Sequence, residues 1–108
     1  MRAEQLKGHL DALLLAVLEA EPLHGYAIIE ALKATSGGTF DLPSGTVYPA
    51  LRRLEQAGLV EGAWSEVGGR RRRTYQLTDR GLAALAEERA TWRGFARAVG
   101  SVLGQPAT

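Results

Sequence analysis

Apolar residues recur at helical spacing in four parts of the chain, and two short segments beside a glycine pair are typical of strands. The first helix is predicted over about Glu4–Ala20, which is apolar on nearly every side, as in a helix that is buried on more than one side or packs against a second subunit. A second helix is predicted from near His24 to about Ser36, where two glycines end it. Thr39–Pro43 is expected to be a turn that pairs briefly as an extended strand.

A third helix is predicted within Ser44–Val60, because one apolar stripe runs along this segment at a spacing of i, i+4, i+7. The stripe consists of Val47, Leu51 and Leu54. Ser44 is the expected N-cap, with Thr46 as the alternative, and Gly58 is the expected left-handed residue after the helix. Pro49 costs little only in the first turn, so we expect a kinked or loosely wound start.

Two strands are predicted after the third helix, over Leu59–Val67 and Arg70–Leu77, with two glycines at the turn between them. Four consecutive arginines begin the second strand. Because side chains alternate across a strand, Tyr75 and Leu77 are expected to face the core. The same alternation divides the arginines into two pairs, Arg71 with Arg73 and Arg70 with Arg72.

The last helix is predicted to begin after Thr78, whose hydroxyl is a good N-cap, with Asp79 complementing the helix dipole in the first turn. Its apolar stripe then advances by alternating steps of three and four residues, as in a coiled coil. The stripe, which includes one arginine, consists of Leu82, Leu85, Arg89, Trp92, Ala96, Val99 and Leu103.

These elements predict a fold that is mainly α with a small β-hairpin, in the α+β class. Residues 1–77 are expected to form a winged helix-turn-helix that includes the N-terminal helix. Residues 78–108 are expected to form an additional C-terminal dimerisation helix, and the whole chain to be one compact domain.

The exposed side of the third helix is a candidate DNA-reading surface. Opposite its apolar stripe the helix has a small, open N-terminal half and arginines, which suits insertion into a major groove. The candidate DNA contacts on this helix are Ser44, Thr46, Tyr48, Pro49, Arg52 and Arg53. The alternative is an ordinary amphipathic helix with a solvated basic face. Tyr48 is either a core residue or a phosphate donor, and its position off the stripe favours the second interpretation.

The arginine run at the start of the second strand also has two interpretations. It is either a solvated strand edge that discourages pairing with other strands or a contact to phosphates and the minor groove. A recognition-like helix beside it favours the second. Residues 1–66 carry a net charge of −4 and residues 67–108 a net charge of +5, so the total of +1 hides a basic C-terminal part.

The segments HGY at His24–Tyr26, GTVYPALRRLEQAGLV at Gly45–Val60 and GRRRRTYQLTDRG at Gly69–Gly81 closely resemble the PadR family of transcriptional regulators. The resemblance extends from Leu6 to about Leu103. It implies a Gly-Arg-x-Arg-basic pattern at the tip of the wing, which is matched by Gly69, Arg70, Arg72 and Arg73. Thr74 stands where the family usually has an aromatic residue.

The resemblance also implies a homodimer built from the first and last helices, which presents two recognition helices and two wings to a pseudo-palindromic double-stranded DNA operator. We therefore expect a sequence-specific regulator, more specifically a repressor. The expected interface residues are Leu10, Leu14, Leu85, Trp92, Phe95 and Val99.

Trp92 occupies a seam position where coiled coils normally prefer Leu or Ile. One interpretation is that its indole fills the dimer interface by packing. The other is a cavity between subunits in which Trp92 stacks on a small aromatic or phenolic effector and Arg89 holds its carboxylate or phenolate. Some members of the resembled family respond to such compounds.

Candidate chemistry beyond DNA binding is scarce in the sequence. There is no cysteine, and the only two histidines are not spaced as metal ligands or as part of a catalytic set. We therefore expect no enzyme activity, no metal and no cofactor. A cytoplasmic, bacterial protein without membrane contact is expected, since no apolar run is long enough for a span. The competing function is a winged-helix module that binds a protein partner in place of DNA.

Overall fold

The computed structural model describes residues 8–104, which form four helices and a three-stranded antiparallel sheet. The predicted fold class is confirmed. In chain order the elements are α1 (Leu10–Val17), β1 (Leu23–His24), α2 (Gly25–Thr35), α3 (Ser44–Gln56), β2 (Val60–Val67), β3 (Arg70–Leu77) and α4 (Asp79–Leu103). Within the described residues, no helix is both long and apolar enough to cross a membrane.

One hydrophobic core joins the three N-terminal helices to the base of the hairpin and the first turns of α4. Leu14, Ile28 and Leu51 are completely buried in it. The predicted stripe of α3 is confirmed, since all three of its residues are at most 2% exposed. The inward face of α3 is therefore fully used for packing, and its other face is left for solvent or a partner.

Helix α1 ends earlier than predicted. It stops at Val17 and not near Ala20, while the predicted start near Glu4 lies outside the described residues. The last turn is closed by i→i−3 bonds, in which the amides of Leu18 and Glu19 donate to carbonyls three residues back, at 3.2 Å each. Leu18 stays buried in the core, so the apolar pattern continues beyond the point where the helix stops.

The sheet has a third strand that was not predicted, and the brief strand pairing expected at Thr39–Pro43 does not form. Thr39–Pro43 does not pair with the hairpin, whereas Leu23–His24 forms β1, opposite Tyr75 and Thr74 of β3. The segment before α3 turns back onto α2, where the amide of Phe40 donates to the Ser36 hydroxyl at 2.8 Å. A two-residue strand is too short to produce a detectable alternation in the sequence.

The start of α3 differs by one residue from the expectation. Pro43 is the N-cap and Ser44 is already helical, because the amides of Thr46 and Val47 donate to the Pro43 carbonyl at 3.0 and 3.2 Å. Pro49 lies inside the helix, on its exposed side.

The end of α3 is as predicted. Gly58 has a φ of +76°, and the amide of Leu59 donates to the carbonyl of Leu54 at 2.9 Å.

The hairpin forms with Val67 opposite Arg70, and both turn glycines have positive φ angles of 59° and 77°. Positive φ at both positions defines the type I′ turn, whose twist suits two antiparallel strands. Tyr75 is 7% exposed and Leu77 packs against the core, as predicted. From Ala63 to the turn, every residue of β2 is exposed, so the distal hairpin projects from the body as a wing.

The predicted N-cap of the last helix is confirmed. The Thr78 hydroxyl accepts from the amide of Gly81 at 3.1 Å and donates to the carbonyl of Gly58 at 2.6 Å. One side chain thus joins the start of α4 to the end of α3. Gly81 also allows a close approach, because a Cβ there would lie 2.0 Å from the carbonyl oxygen of Leu59.

Candidate nucleic-acid interface

The outer face of α3 is accessible along its N-terminal half. Ser44, Tyr48, Pro49 and Arg52 are exposed, and Thr46 is half-buried. A Cβ on the neighbouring Gly45 would meet no atom within 4 Å, so this part of the helix has open space around it. The helix therefore presents a small, uncrowded end, which is the part of a recognition helix that meets base edges in a major groove.

Tyr48 is partly exposed and partly packed against α2. It is 43% exposed, and its ring also lies against Gly25 at the start of α2. A Cβ on Gly25 would come within 2.2 to 2.7 Å of three ring and hydroxyl atoms of Tyr48. Because Gly25 of the HGY segment has no side chain, the ring of Tyr48 can pack against the start of α2. This contact joins α2 and α3, the two helices of the helix-turn-helix.

The two arginines of α3 have different surroundings. Arg53 forms an ion pair with Asp11 of α1, with an Nη2–Oδ1 distance of 2.8 Å, and both side chains are at least half exposed. Arg52 is exposed and has no ion-pair partner among residues 8–104. Of the two, Arg52 can therefore donate hydrogen bonds to a ligand without breaking an ion pair, whereas Arg53 cannot.

The wing arginines also divide into two groups. Arg70, Arg71 and Arg72 have no ion-pair partner within the described chain, and Arg70 and Arg71 are exposed. Arg73 forms an ion pair with Glu55 on α3, and each side chain is about one-third exposed, at 33% and 30%. The ion pair connects the wing directly to α3.

Trp64 is a residue of this region that the sequence reasoning missed. It lies on β2 opposite Arg73 and is 58% exposed. The guanidinium carbons of Arg71 and Arg73 are 4.7 and 5.6 Å from its ring centroid. The signal available in the sequence was a single aromatic residue on a strand whose other residues are valine, small or charged.

Thr74, at the position where an aromatic residue was expected, lies on the opposite face of the wing. Its hydroxyl is 3.1 Å from that of Ser65.

One exposed face of α4 is largely apolar. Trp92 and Phe95 are 54% and 57% exposed, and Val102 and Leu103 are more exposed still. Beside this face, α1 and α4 enclose a groove of about 760 Å³, with Trp92, Phe95 and His9 among its lining residues. The imidazole of His9 meets the indole edge to face, at a centroid distance of 5.6 Å.

The six predicted interface residues do not lie on one surface. Leu14 and Leu85 are 0% and 2% exposed, so they have almost no area to offer to a second chain. Leu10 and Val99 are half-buried. Trp92 and Phe95 are the members that stand on the exposed face.

Arg89 lies at the edge of the groove and already has a partner. Its guanidinium donates two hydrogen bonds to Glu19, at 2.8 and 2.9 Å. These hydrogen bonds lower the pKa of Glu19 and raise the pKa of Arg89, with a smaller direct charge effect in the same direction. A ligand carboxylate would have to compete with Glu19 for this arginine.

Comparison with known proteins agrees with this geometry. Residues 14–87 match the family described as the transcriptional regulator PadR-like family. The chain belongs to this family. A PadR family regulator from Eggerthella lenta superposes with a TM-score of 0.80 at 36% identity, over 95% of this chain and 88% of that one. A PadR-like regulator from Bacillus cereus does so with a TM-score of 0.82 at 28% identity, over 97% and 100%.

A further relative is the transcriptional regulator Rv3488 of Mycobacterium tuberculosis, which is 47% identical over 55 residues, or 51% of each chain. Membership makes this PadR-like protein a transcriptional regulator with a DNA-binding winged helix. In this winged helix, α2 and α3 form the helix-turn-helix, and β2 with β3 forms the hairpin that follows it.

Proposed function

We propose that this PadR-like regulator binds a pseudo-palindromic operator as a homodimer and represses transcription from it. The observation that carries the proposal is the division of α3 into a fully buried stripe and an uncovered N-terminal half beside a basic wing. In this arrangement a helix enters the major groove while the hairpin follows the adjacent backbone or minor groove. Repression follows if the bound dimer blocks access of the polymerase to a promoter.

On the recognition helix, the proposed base-reading group is Arg52, because its guanidinium is not engaged within the described chain. Arginine reads guanine with two hydrogen bonds from its planar fork. The smaller neighbours supply hydroxyl and apolar contacts to bases and phosphates. These proposed contacts are Ser44, Thr46, Tyr48 and Pro49.

On the wing, Arg70 and Arg72 are the proposed phosphate ligands, since they project on one strand face without an acidic partner in residues 8–104. Arg53 and Arg73 also belong to the proposed basic surface. Their ion pairs with carboxylates would have to open for either guanidinium to hold a phosphate.

The dimer is proposed from the apolar face of α4. Trp92, Phe95 and Leu103 are each more than half exposed. Exposing this much apolar surface to water is unfavourable in free energy for a monomer. The groove between α1 and α4 opens beside this face and is largely apolar in its lining. A second copy related by a two-fold axis would cover both, and would place two α3 helices on one side of DNA.

The same groove is the proposed binding site for a small aromatic effector. Trp92, His9 and Phe40 provide flat surfaces around a space of about 760 Å³, and volumes of this order hold drug-sized ligands. Such a ligand releases DNA only if it binds the DNA-free shape of the dimer more tightly than the DNA-bound shape. A Trp64→Phe variant leaves Trp92 as the sole tryptophan, so planar aromatic compounds should quench its fluorescence and weaken operator binding in parallel.

Selection of duplexes from a random-sequence library tests the DNA-binding part of the proposal. The enriched duplexes should contain an inverted repeat whose half-site centres lie about 10 base pairs, or a multiple of this, apart. Enrichment of a single half-site would contradict binding of a dimer to a two-part operator. Absence of any enrichment would favour the competing function, a module that binds a protein partner.

A further inference from the structure

Trp64 and the two arginines around it form a cluster on the face of the wing that continues the core side of the sheet. The indole is 58% exposed, and Arg71 and Arg73 lie over its ring at 4.7 and 5.6 Å. Both distances are within the range of a cation–π contact, which extends to about 6 Å from the centroid. The cluster therefore brings two guanidinium groups to one face of the wing, on which Glu66 lies opposite Arg71 towards the tip.

Arg73 extends from this cluster to the recognition helix. Its guanidinium forms the ion pair with Glu55, in which both side chains are about one-third exposed. To reach Glu55 it crosses β2 at Gly62, where a Cβ would lie 2.7 Å from Nε and 2.9 Å from Nη2 of Arg73. The absence of a side chain at Gly62 is thus what allows the wing arginine to contact α3.

The contacts run without a gap from Arg71 through Trp64 and Arg73 to Glu55. They join the distal part of the wing to α3, the helix proposed to read DNA. No other described element covers this part of the wing, from Ala63 to the turn. A two-stranded ribbon that projects from a fold bends and twists easily. Fixing its orientation before DNA arrives reduces the entropy that binding would otherwise lose.

We propose that Trp64 is a positioning residue of the DNA interface. Together with Arg73 and Glu55 it holds the wing in one orientation relative to α3, and it holds Arg71 ready for a DNA phosphate. This inference rests on the proposed function, namely binding of duplex DNA by α3 and the wing. Arg73 then contributes through the orientation of the wing, whereas Arg71 contacts phosphate from the strand face opposite to that of Arg70 and Arg72.

Two substitutions of Trp64 separate positioning from simple packing. Trp64→Leu keeps an apolar side chain but removes the aromatic face, so the affinity for a selected duplex should fall by about fivefold to tenfold. Trp64→Phe keeps an aromatic face and should bind within about threefold of the original chain. Fluorescence anisotropy gives both affinities, and thermal unfolding shows whether the folds are intact. Equal affinities of Trp64→Leu and the original chain would overturn the proposal, as would an equal loss in both variants.

A double substitution tests whether Trp64 acts through Arg71. In an Arg71→Ala background, Trp64→Leu should weaken binding much less than it does in the original chain, because one of the groups that it positions is gone. Fully independent effects of the two substitutions would show that Trp64 does not act through this arginine and would overturn that assignment.

Gly62→Ala provides a test that leaves every charge and ring in place. The added methyl group displaces the Arg73 guanidinium from Glu55, so affinity should fall by about threefold to tenfold with little loss of stability, because a flexible side chain moves. Unchanged affinity in this variant would overturn the role of the Arg73–Glu55 tie. Failure of the original chain to bind any duplex would overturn the proposed function itself, whereas binding that is insensitive to Trp64 and Gly62 overturns this inference alone.

Discussion

At the scale of single residues, Gly25 leaves the space in which the ring of Tyr48 lies. Gly25→Ala should lower the free energy of unfolding by about 1–3 kcal/mol, because the ring must shift away from a new methyl group. Gly45→Ala is the matched control, since its methyl group would meet open space. Urea denaturation measures both. Equal stabilities of the two variants would show that the α2–α3 contact does not depend on Gly25.

Arg70 and Arg72 allow a prediction about single charges. Replacing either by alanine should weaken binding to all duplexes and make the slope of log affinity against log salt less steep by about 0.9, the value for one lost phosphate contact. An anisotropy series over salt concentration gives the slope. An unchanged slope would remove that arginine from the interface.

The residue-level features that the sequence predicted are those decided by local chemistry. The cap at Thr78, the left-handed Gly58 and the buried Tyr75 follow from neighbours a few positions away. Three of the four ion pairs among residues 8–104 were not predictable in this way. These three join residues that are 18, 42 and 70 positions apart, so they depend on how the elements pack.

At the scale of elements, α3, the hairpin and α4 were predicted to within one or two residues, because each has a strong apolar period or a distinctive end. The failures concern β1 and the end of α1. β1 contains two residues and exists because β3 offers them an edge. α1 ends at Val17, but the next residue, Leu18, is still buried in the core. The apolar pattern therefore continues past the end of the helix and does not mark it.

Thr78 provides the element-scale prediction. Thr78→Ala should lower the free energy of unfolding by about 1–2 kcal/mol, because it removes the N-cap of α4. The same substitution also removes the bond to the Gly58 carbonyl. Thr78→Ser keeps the hydroxyl and should retain most of the stability. Thermal unfolding compares the two, and an equal loss in both would show that the threonine methyl group, and not the cap, is what matters.

At the scale of the whole molecule, the exposed face of α4 leads to a prediction about assembly. The chain should sediment as a dimer at micromolar concentration, and Phe95→Glu should convert it to a folded monomer, because a charge would be buried in the interface. Circular dichroism should show unchanged helix content, since Phe95 is 57% exposed in one chain. A stable monomer of the original chain would contradict the dimer.

The claim that α3 reads DNA is tested most directly by the affinities of Arg52→Ala for a selected duplex and for a scrambled one. If Arg52 reads a base, the substitution should cost about 1–3 kcal/mol on the selected duplex and much less on the scrambled one. Arg93→Ala, which removes the same charge from an exposed position on α4, should discriminate between the duplexes as the original chain does. An equal loss for Arg52→Ala on both duplexes would contradict base reading by this helix.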